Sequence, residues 1–260
     1  MQVDEKSTLT EIRASEVAGV AAFLPDTPWT TTAVHACERR VARVWVDSTD
    51  APGCAAVLAP GIPDHDVAPR LYLFASNQPA DPLVAFATAF PRPVHVVCDE
   101  AVGDLLDAAA PEVSRVADSV HWFERLDTVE RATGDGTRRL RLGDAEAVER
   151  LGLRGLLRTF ESIKDLLMVG GACGVTDGDE LACAAFTVDM SVNYARIVVF
   201  TQEPYRGRGL ATAVTRRLVS AHHEQGRLAC TIVEDRDAAG EALCARVGFE
   251  AAGRVSRRIL

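Results

Sequence analysis

Two hydrophobic rhythms alternate along this chain: short apolar or period-two runs that predict strands, and runs of period near 3.6 that predict helices. Glu11–Leu24 places Ile12, Val17, Val20, Ala21 and Leu24 on one side and predicts a helix ended by Pro25. A second helix is predicted from the threonines near Thr30–Thr32 to Arg39. Arg40–Asp47, dense in β-branched residues, predicts a strand, and Pro52-Gly53 turns the chain into Cys54–Ala59. After the loop PGIPDHDVAP come a strand at Arg70–Ser76, a helix over Pro82–Phe90 with Asp81 as its N-cap, and a buried strand at Val94–Cys98. A helix over Ala101–Ala110 is stopped by Pro111, and Asp118–Leu126 closes the series as a strand.

Asp127–Thr137, ending ATGDGT, is poor in apolar residues and reads as a linker. The expected division is a first domain over 1–128, a linker over 129–136 and a second domain over 137–260. After the linker the order restarts. A strand at Arg138–Leu142 precedes a helix over Asp144–Leu151 and a helical region over Leu153–Leu167. A hairpin follows through GACGVTDGDELACAAFTV, turning at Asp177-Gly178-Asp179. Then come a strand at Arg196–Thr201, a helix from Leu210, a strand at Leu228–Glu234, a helix over Ala238–Val247 and a last strand from Phe249. The first half follows the same plan without its first strand.

The chemistry concentrates in Tyr205–Gly226, YRGRGLATAVTRRLVSAHHEQG, directly after the run Ile197–Phe200. Gly207 and Gly209 leave the backbone of a strand-to-helix turn uncovered, so an anion can approach its N–H groups. Leu210, Ala213, Val214, Leu218 and Ala221 then recur at helical spacing, which points the positive end of the helix at the turn, flanked by Arg206 and Arg208. A P-loop needs Lys-Ser/Thr after its second glycine, where Leu210-Ala211 stands; a Rossmann fingerprint needs a third glycine, which is missing.

What fits is Arg-x-x-Gly-x-Ala, Arg206–Ala211, which resembles the pyrophosphate loop of the GNAT superfamily of acyl-CoA-dependent N-acyltransferases (Gln/Arg-x-x-Gly-x-Gly/Ala). Further on, GEALCARVGF (Gly240–Phe249) resembles the superfamily's helix-plus-Gly-Phe segment, and RVWVDSTDAPGCAAVL resembles the region ahead of this domain in a group of bacterial GNAT proteins. The resemblance implies an α/β (α+β) fold with a mixed central sheet flanked by helices, in tandem with a GNAT-like N-terminal domain. That first copy has SNQPADP (Ser76–Pro82) where the cradle would be, with no glycine, and is expected to lack the cofactor site; the alternative is an unrelated α/β cap.

The resemblance also implies a chemistry, N-acetyl transfer from acetyl-CoA to an amine of a small acceptor by direct attack. Amides across Gly207, Arg208, Gly209, Leu210, Ala211 and Thr212 would hold the diphosphate, with Arg206 and Arg208 at the rim. The free edge of the strand at Val198–Thr201 would pair with pantetheine, and an N–H near Val199, Phe200 or Thr201 would polarise the thioester carbonyl. Asp237 stands where the family has an Asn, and Cys244 where many members have a Tyr that protonates the leaving thiolate. Glu234 is the candidate base, acting through water, with Glu203 and Asp189 as competitors. The alternatives are a non-catalytic acyl-CoA-binding or regulatory module, and transfer of a different acyl group.

A formal charge of −9 argues against a nucleic-acid partner and suits an amine-bearing substrate. The seven cysteines show no metal spacing, and their odd number fits reduced thiols in a cytoplasm; no metal is expected. The start MQVDEKST has no signal-peptide pattern and no apolar run approaches a membrane span, so the expectation is a cytoplasmic monomer or homodimer. His222 and His223 are expected on a solvated face, and Trp29, Trp45, Trp122 and Tyr194 in the core or lining a cleft.

Overall fold

A computed structural model of the chain describes residues 9–61, 68–76, 80–91, 93–111, 115–125, 136–235 and 237–260. They divide into two units. One falls within Met1–Pro25, Thr32–His121 and Gly253–Leu260, the other within Asp26–Thr31 and Trp122–Ala252. Of the expected linker, all but Gly136 lies outside the described residues, as do parts of SNQPADP and the side chain of Trp122.

The first unit runs β1 (Thr10–Glu11), α1 (Val17–Val20), α2 (Thr31–Glu38, all but its first residue), β2 (Arg43–Val46), β3 (Cys54–Ala59), β4 (Arg70–Ala75), α3 (Asp81–Ala89), β5 (His95–Cys98) and α4 (Glu100–Ala109). β1 to β4 pair antiparallel in turn, and β4 pairs parallel with β5, the connection that requires a crossover helix, here α3. The end of the chain, Ser256–Ile259, pairs antiparallel with β5.

Period-two alternation puts Leu71, Leu73, Val96 and Cys98 on the face covered by α3 and α4, where Leu83, Phe86, Val102 and Leu106 complete a buried cluster. Trp45 lies in this core, its ring 5.0 Å from Phe86 and 5.7 Å from Phe90. The nearly buried Arg258 donates to both oxygens of Asp107, at 2.8 and 2.7 Å. It reaches α4 at Gly103, where a Cβ would stand 2.4 Å from the guanidinium.

Two expectations change here. The helix expected over Glu11–Leu24 shrinks to α1, because Thr10 and Glu11 give their backbone to β2 and Glu11 accepts from Arg43 at 2.8 Å. Asp81 is the first residue of α3 rather than its cap; Ala80 holds the cap position without a side-chain bond. The cap at α4 is made, Asp99 accepting from Val102 N–H at 2.9 Å.

β6 (Arg115–Arg125) is divided between the units. The second unit continues with β7 (Arg138–Arg139), α5 (Ala145–Glu149), α6 (Ile163–Asp165), β8 (Ala172–Asp177), β9 (Glu180–Met190), β10 (Tyr194–Thr201), α7 (Leu210–His223), β11 (Leu228–Glu234), α8 (Ala238–Val247) and the start of β12 (Phe249–Ile259). Strand order is β7-β8-β9-β10-β11, antiparallel until β10 meets β11 in parallel across α7. Alternation along β9 sends Ala184, Phe186 and Val188 to the side of α5 and α6. It sends Cys183 and Ala185 to the side of α7 and α8.

The helix expected over Leu153–Leu167 is broken. A 3₁₀ turn at Arg154–Leu157 is followed by α6, capped by Ser162 accepting from Asp165 N–H at 3.1 Å, and a π turn at Leu166–Gly170. That turn packs so closely on β9 that a Cβ at Gly170 would stand 2.5 Å from the Thr187 carbonyl oxygen. The strand expected over Arg138–Leu142 ends at Arg139, since Leu142 already begins a 3₁₀ turn. All seven cysteines are buried. Among the described residues, no helix is long and apolar enough to cross a membrane, and no group of three His, Cys, Asp or Glu could hold a metal ion.

His222 departs from the solvated position expected for it. Only 2% exposed, it has Nε2 2.6 Å from Thr187 Oγ1, while Nδ1 has no partner among the described residues. His223 is exposed. Burial, helped by Arg227 and Arg139, pushes the His222 ring down to about 4. The unfolded chain, with an ordinary imidazole near ~6.5, therefore takes up a proton first as pH falls. The stability linked to the neutral ring is complete above that value and is lost on acidification towards pH 4, a difference of order 3 kcal/mol. Thermal unfolding between pH 7.5 and 4 should show a steeper fall in Tm for wild type than for His222→Gln. Parallel curves would remove His222 as the titrating group.

Candidate functional site

A parallel strand pair normally stays hydrogen-bonded along its length, because unpaired backbone groups are costly. β10 and β11 do not. They pair from Tyr194–Leu228 to Arg196–Cys230 and then part, although β10 continues to Thr201 and β11 to Glu234. The parting starts beside an irregularity in register with β9 between Arg196 and Ile197. There Arg196 is held by the fully buried Asp189 across the hairpin, and Asp189 accepts a further bond from Thr159 Oγ1 at 3.2 Å. On its other edge β10 remains paired with β9 through Thr201. Val198–Thr201 thus has one occupied edge and one facing β11 without a strand partner.

Directly after β10 the chain makes a 3₁₀ turn at Glu203–Tyr205 and passes through Arg206 to Gly209 into α7. Gly207 and Gly209 have φ of +74° and +77°, the left-handed region that a side chain resists. Nothing lies within 4 Å of where a Cβ would stand at either glycine, so the turn is open to an incoming group. Gly209 is the helix N-cap and offers no side-chain oxygen. Among the described residues, the N–H groups of Gly207 to Thr212 have no acceptor. Unpaired amides at the positive end of a helix of 14 residues are an arrangement that can receive an anion. Arg206 and Arg208 are exposed beside it; Arg206 Nε donates to the Thr201 carbonyl at 3.3 Å and Arg208 Nη2 to that of Pro204 at 2.9 Å.

Between the parted strands, α7 and α8 lies a cavity of about 220 Å³. Val198 and Val199 line it from β10, Thr231 and Val233 from β11, Thr215 from α7, and Asp237, Gly240 and Cys244 from the start of α8. Of the expected site residues, Val199, Asp237 and Cys244 are therefore on its wall. Phe200 and Thr201 continue the strand edge toward the cradle, and Leu210 and Ala211 pack their side chains on the core beneath it. Asp237 is the N-cap of α8, accepting from Gly240 N–H at 2.9 Å. Glu234 is exposed at the end of β11 and does not line the cavity. Asp189 is engaged by Arg196 and Thr159, and Glu203 is exposed in the 3₁₀ turn.

The Cys244 thiol is 3% exposed, and burial, reinforced by Asp237 and Glu241, pushes it up to about 12. Such a thiol keeps its proton at neutral pH. Sequence reasoning missed Thr215, Thr231 and Gly240. The visible signal for Thr215 was a hydroxyl on the apolar stripe of α7, between Val214 and Leu218.

No curated protein matches the sequence. Among solved structures, a GCN5-related N-acetyltransferase-like protein from Streptococcus suis 89/1591 superposes with a TM-score of 0.65 at 18% identity, covering 95% of this chain and 99% of that one. An acetyltransferase of the GNAT family from Colwellia psychrerythraea gives 0.65 at 13% identity, covering 97% and 99%. A tandem GNAT protein from the clavulanic acid biosynthesis pathway gives 0.65 at 16%, covering 97% of each chain. At these identities the likeness is one of fold. The sequence model of the GNAT acetyltransferase family matches residues 22–253, a span that includes residues of both units, and the chain belongs to that family.

Proposed function

We propose that the second unit transfers an acetyl group from acetyl-CoA to the amine of a small acceptor, by direct attack while both are bound. The observation that carries this reading is the row of unpartnered N–H groups from Gly207 to Thr212, shortly after a parted strand edge that lines a cavity. The residues present suit a coenzyme A donor. The left-handed, uncovered glycines would admit a diphosphate, Arg206 and Arg208 would add charge at the rim, and the edge Val198–Thr201 would receive the amides of the arm. The donor supplies an activated thioester carbonyl.

The protein's part is to hold the donor still, exclude water from the cavity and offer an N–H of Val199 to Thr201 towards the carbonyl oxygen. Glu234, at the open end of β11, is the proposed base through water. Cys244 lines the wall but is a poor proton source. With its thiol pushed up to about 12, it would give a proton to a thiolate of ordinary basicity only uphill. This same observation favours a second reading, a module that binds acyl-CoA without turnover. Thiol release from acetyl-CoA over a panel of small amines separates the two.

Gly209→Glu places a strained side chain and a negative charge in the cradle, and should weaken CoA binding at least about tenfold in titration calorimetry while the fold persists. Undiminished affinity would refute the cradle assignment. Cys244→Ala should retain kcat within about threefold with an unmoved pH profile, since a general acid would contribute ~10²-fold or more. A loss of that size would return Cys244 to the mechanism. Glu234→Gln should lower kcat by about 10²-fold at fixed pH. Turnover within about threefold of wild type would leave the amine to arrive deprotonated.

A further inference from the structure

The α7 helix carries a buried hydroxyl with nothing to bond. Thr215 is 2% exposed and lines the cavity, and its Oγ1 has no partner among the described residues. A helical threonine ordinarily offers its hydroxyl to the carbonyl three or four residues back. Thr88 in α3 does this, donating to Val84 and Ala85 carbonyls at 3.0 Å, but Thr215 does not. A buried hydroxyl left unpaired is destabilising, so a position with no use for a polar group would be better served by valine.

The first unit supplies the comparison. Counted from the first residue of each crossover helix, Thr215 in α7 corresponds to Phe86 in α3. Counted from the capping aspartates Asp99 and Asp237, Gly240 and Cys244 in α8 correspond to Val102 and Leu106 in α4. Phe86, Val102 and Leu106 are buried together in one apolar cluster. The second unit has a smaller side chain at each of these places, and a cavity there.

We infer that the Thr215 hydroxyl is a hydrogen-bond partner for the arm of the acyl donor, between its diphosphate and its thioester. This rests on the coenzyme A reading of the cradle. Thr215 lies six residues beyond Gly209, about 9 Å along the helix axis from the cap, so a donor whose diphosphate sat at the cap would bring its arm, not its diphosphate, to this depth. The hydroxyl positions the arm and selects a donor that has a polar group at this depth.

Titration calorimetry of wild type, Thr215→Val and Thr215→Ser against CoA and against adenosine 3′-phosphate 5′-diphosphate, which keeps the diphosphate and lacks the arm, tests this. Thr215→Val should lose about fivefold in CoA affinity and none for the armless nucleotide, with Tm equal to or above wild type; Thr215→Ser should hold CoA within about twofold. Full CoA affinity in Thr215→Val overturns the inference, as does an equal loss for both ligands or a loss confined to Thr215→Ser. Wild type that fails to bind CoA at all overturns the cradle reading, and the inference with it.

Discussion

The second unit depends on one constraint: a parallel strand pair that stops pairing after Arg196 and Cys230 must find other partners for the backbone groups beyond. Water can satisfy those at the open end. Deeper in, side chains of α7 and α8 and the two strands enclose a cavity instead of closing on it. The parting is held from behind. The register irregularity at Arg196/Ile197 and the buried Asp189–Arg196 pair tie β10 to β9 at the last position where it still pairs with β11, Arg196–Cys230. Removing one member of such a pair costs about 3–5 kcal/mol.

The cradle follows from the same geometry. β10 ends at Thr201, and the turn after it leads within a few residues into α7, so the free strand edge and the free amides of the helix start are neighbours along the chain. Left-handed Gly207 and Gly209 make the turn short and keep it bare. The chain as a whole is acidic, at −9, yet Arg206 and Arg208 stand exposed beside the free amides, so the charge nearest the helix start is opposite in sign to the net charge.

Much of this was legible in the residues. β3, β11 and α8 fall where alternation and periodicity put them, since each is bounded by turn-formers and repeats a single rhythm. The cradle was legible because glycine spacing reports backbone conformation directly. What misled was composition without partners. Glu11–Leu24 has a helical stripe, but its start is more strongly claimed by β2; Leu153–Leu167 has apolar residues enough for a helix, but close packing on β9 breaks it into turns. His222 looked solvated because it adjoins His223 and a polar end. Its burial comes from Thr187 on a strand 35 residues earlier, a contact that no local pattern announces. Cys244 could be placed on the cavity wall from its motif, but its reluctance to ionise follows from burial and from Asp237 and Glu241 around it.

The two units carry the same order of strand pairings, antiparallel until a last parallel pair, and fill the space beside that pair differently. In the first unit β4 and β5 pair over three positions, Arg70–His95 to Tyr72–Val97, and the ladder stops because β5 itself ends at Cys98 while β4 runs on to Ala75. There the space beside the strands is occupied by Leu73, Leu83, Phe86 and Leu106, each fully buried, and filling it with apolar volume contributes stability directly. In the second unit Thr215, Gly240 and Cys244 decline that volume. A core that gives up packing at three positions on two helices, and keeps an unpaired hydroxyl at one of them, is less stable than it need be, and what it retains in exchange is room of a definite shape and polarity.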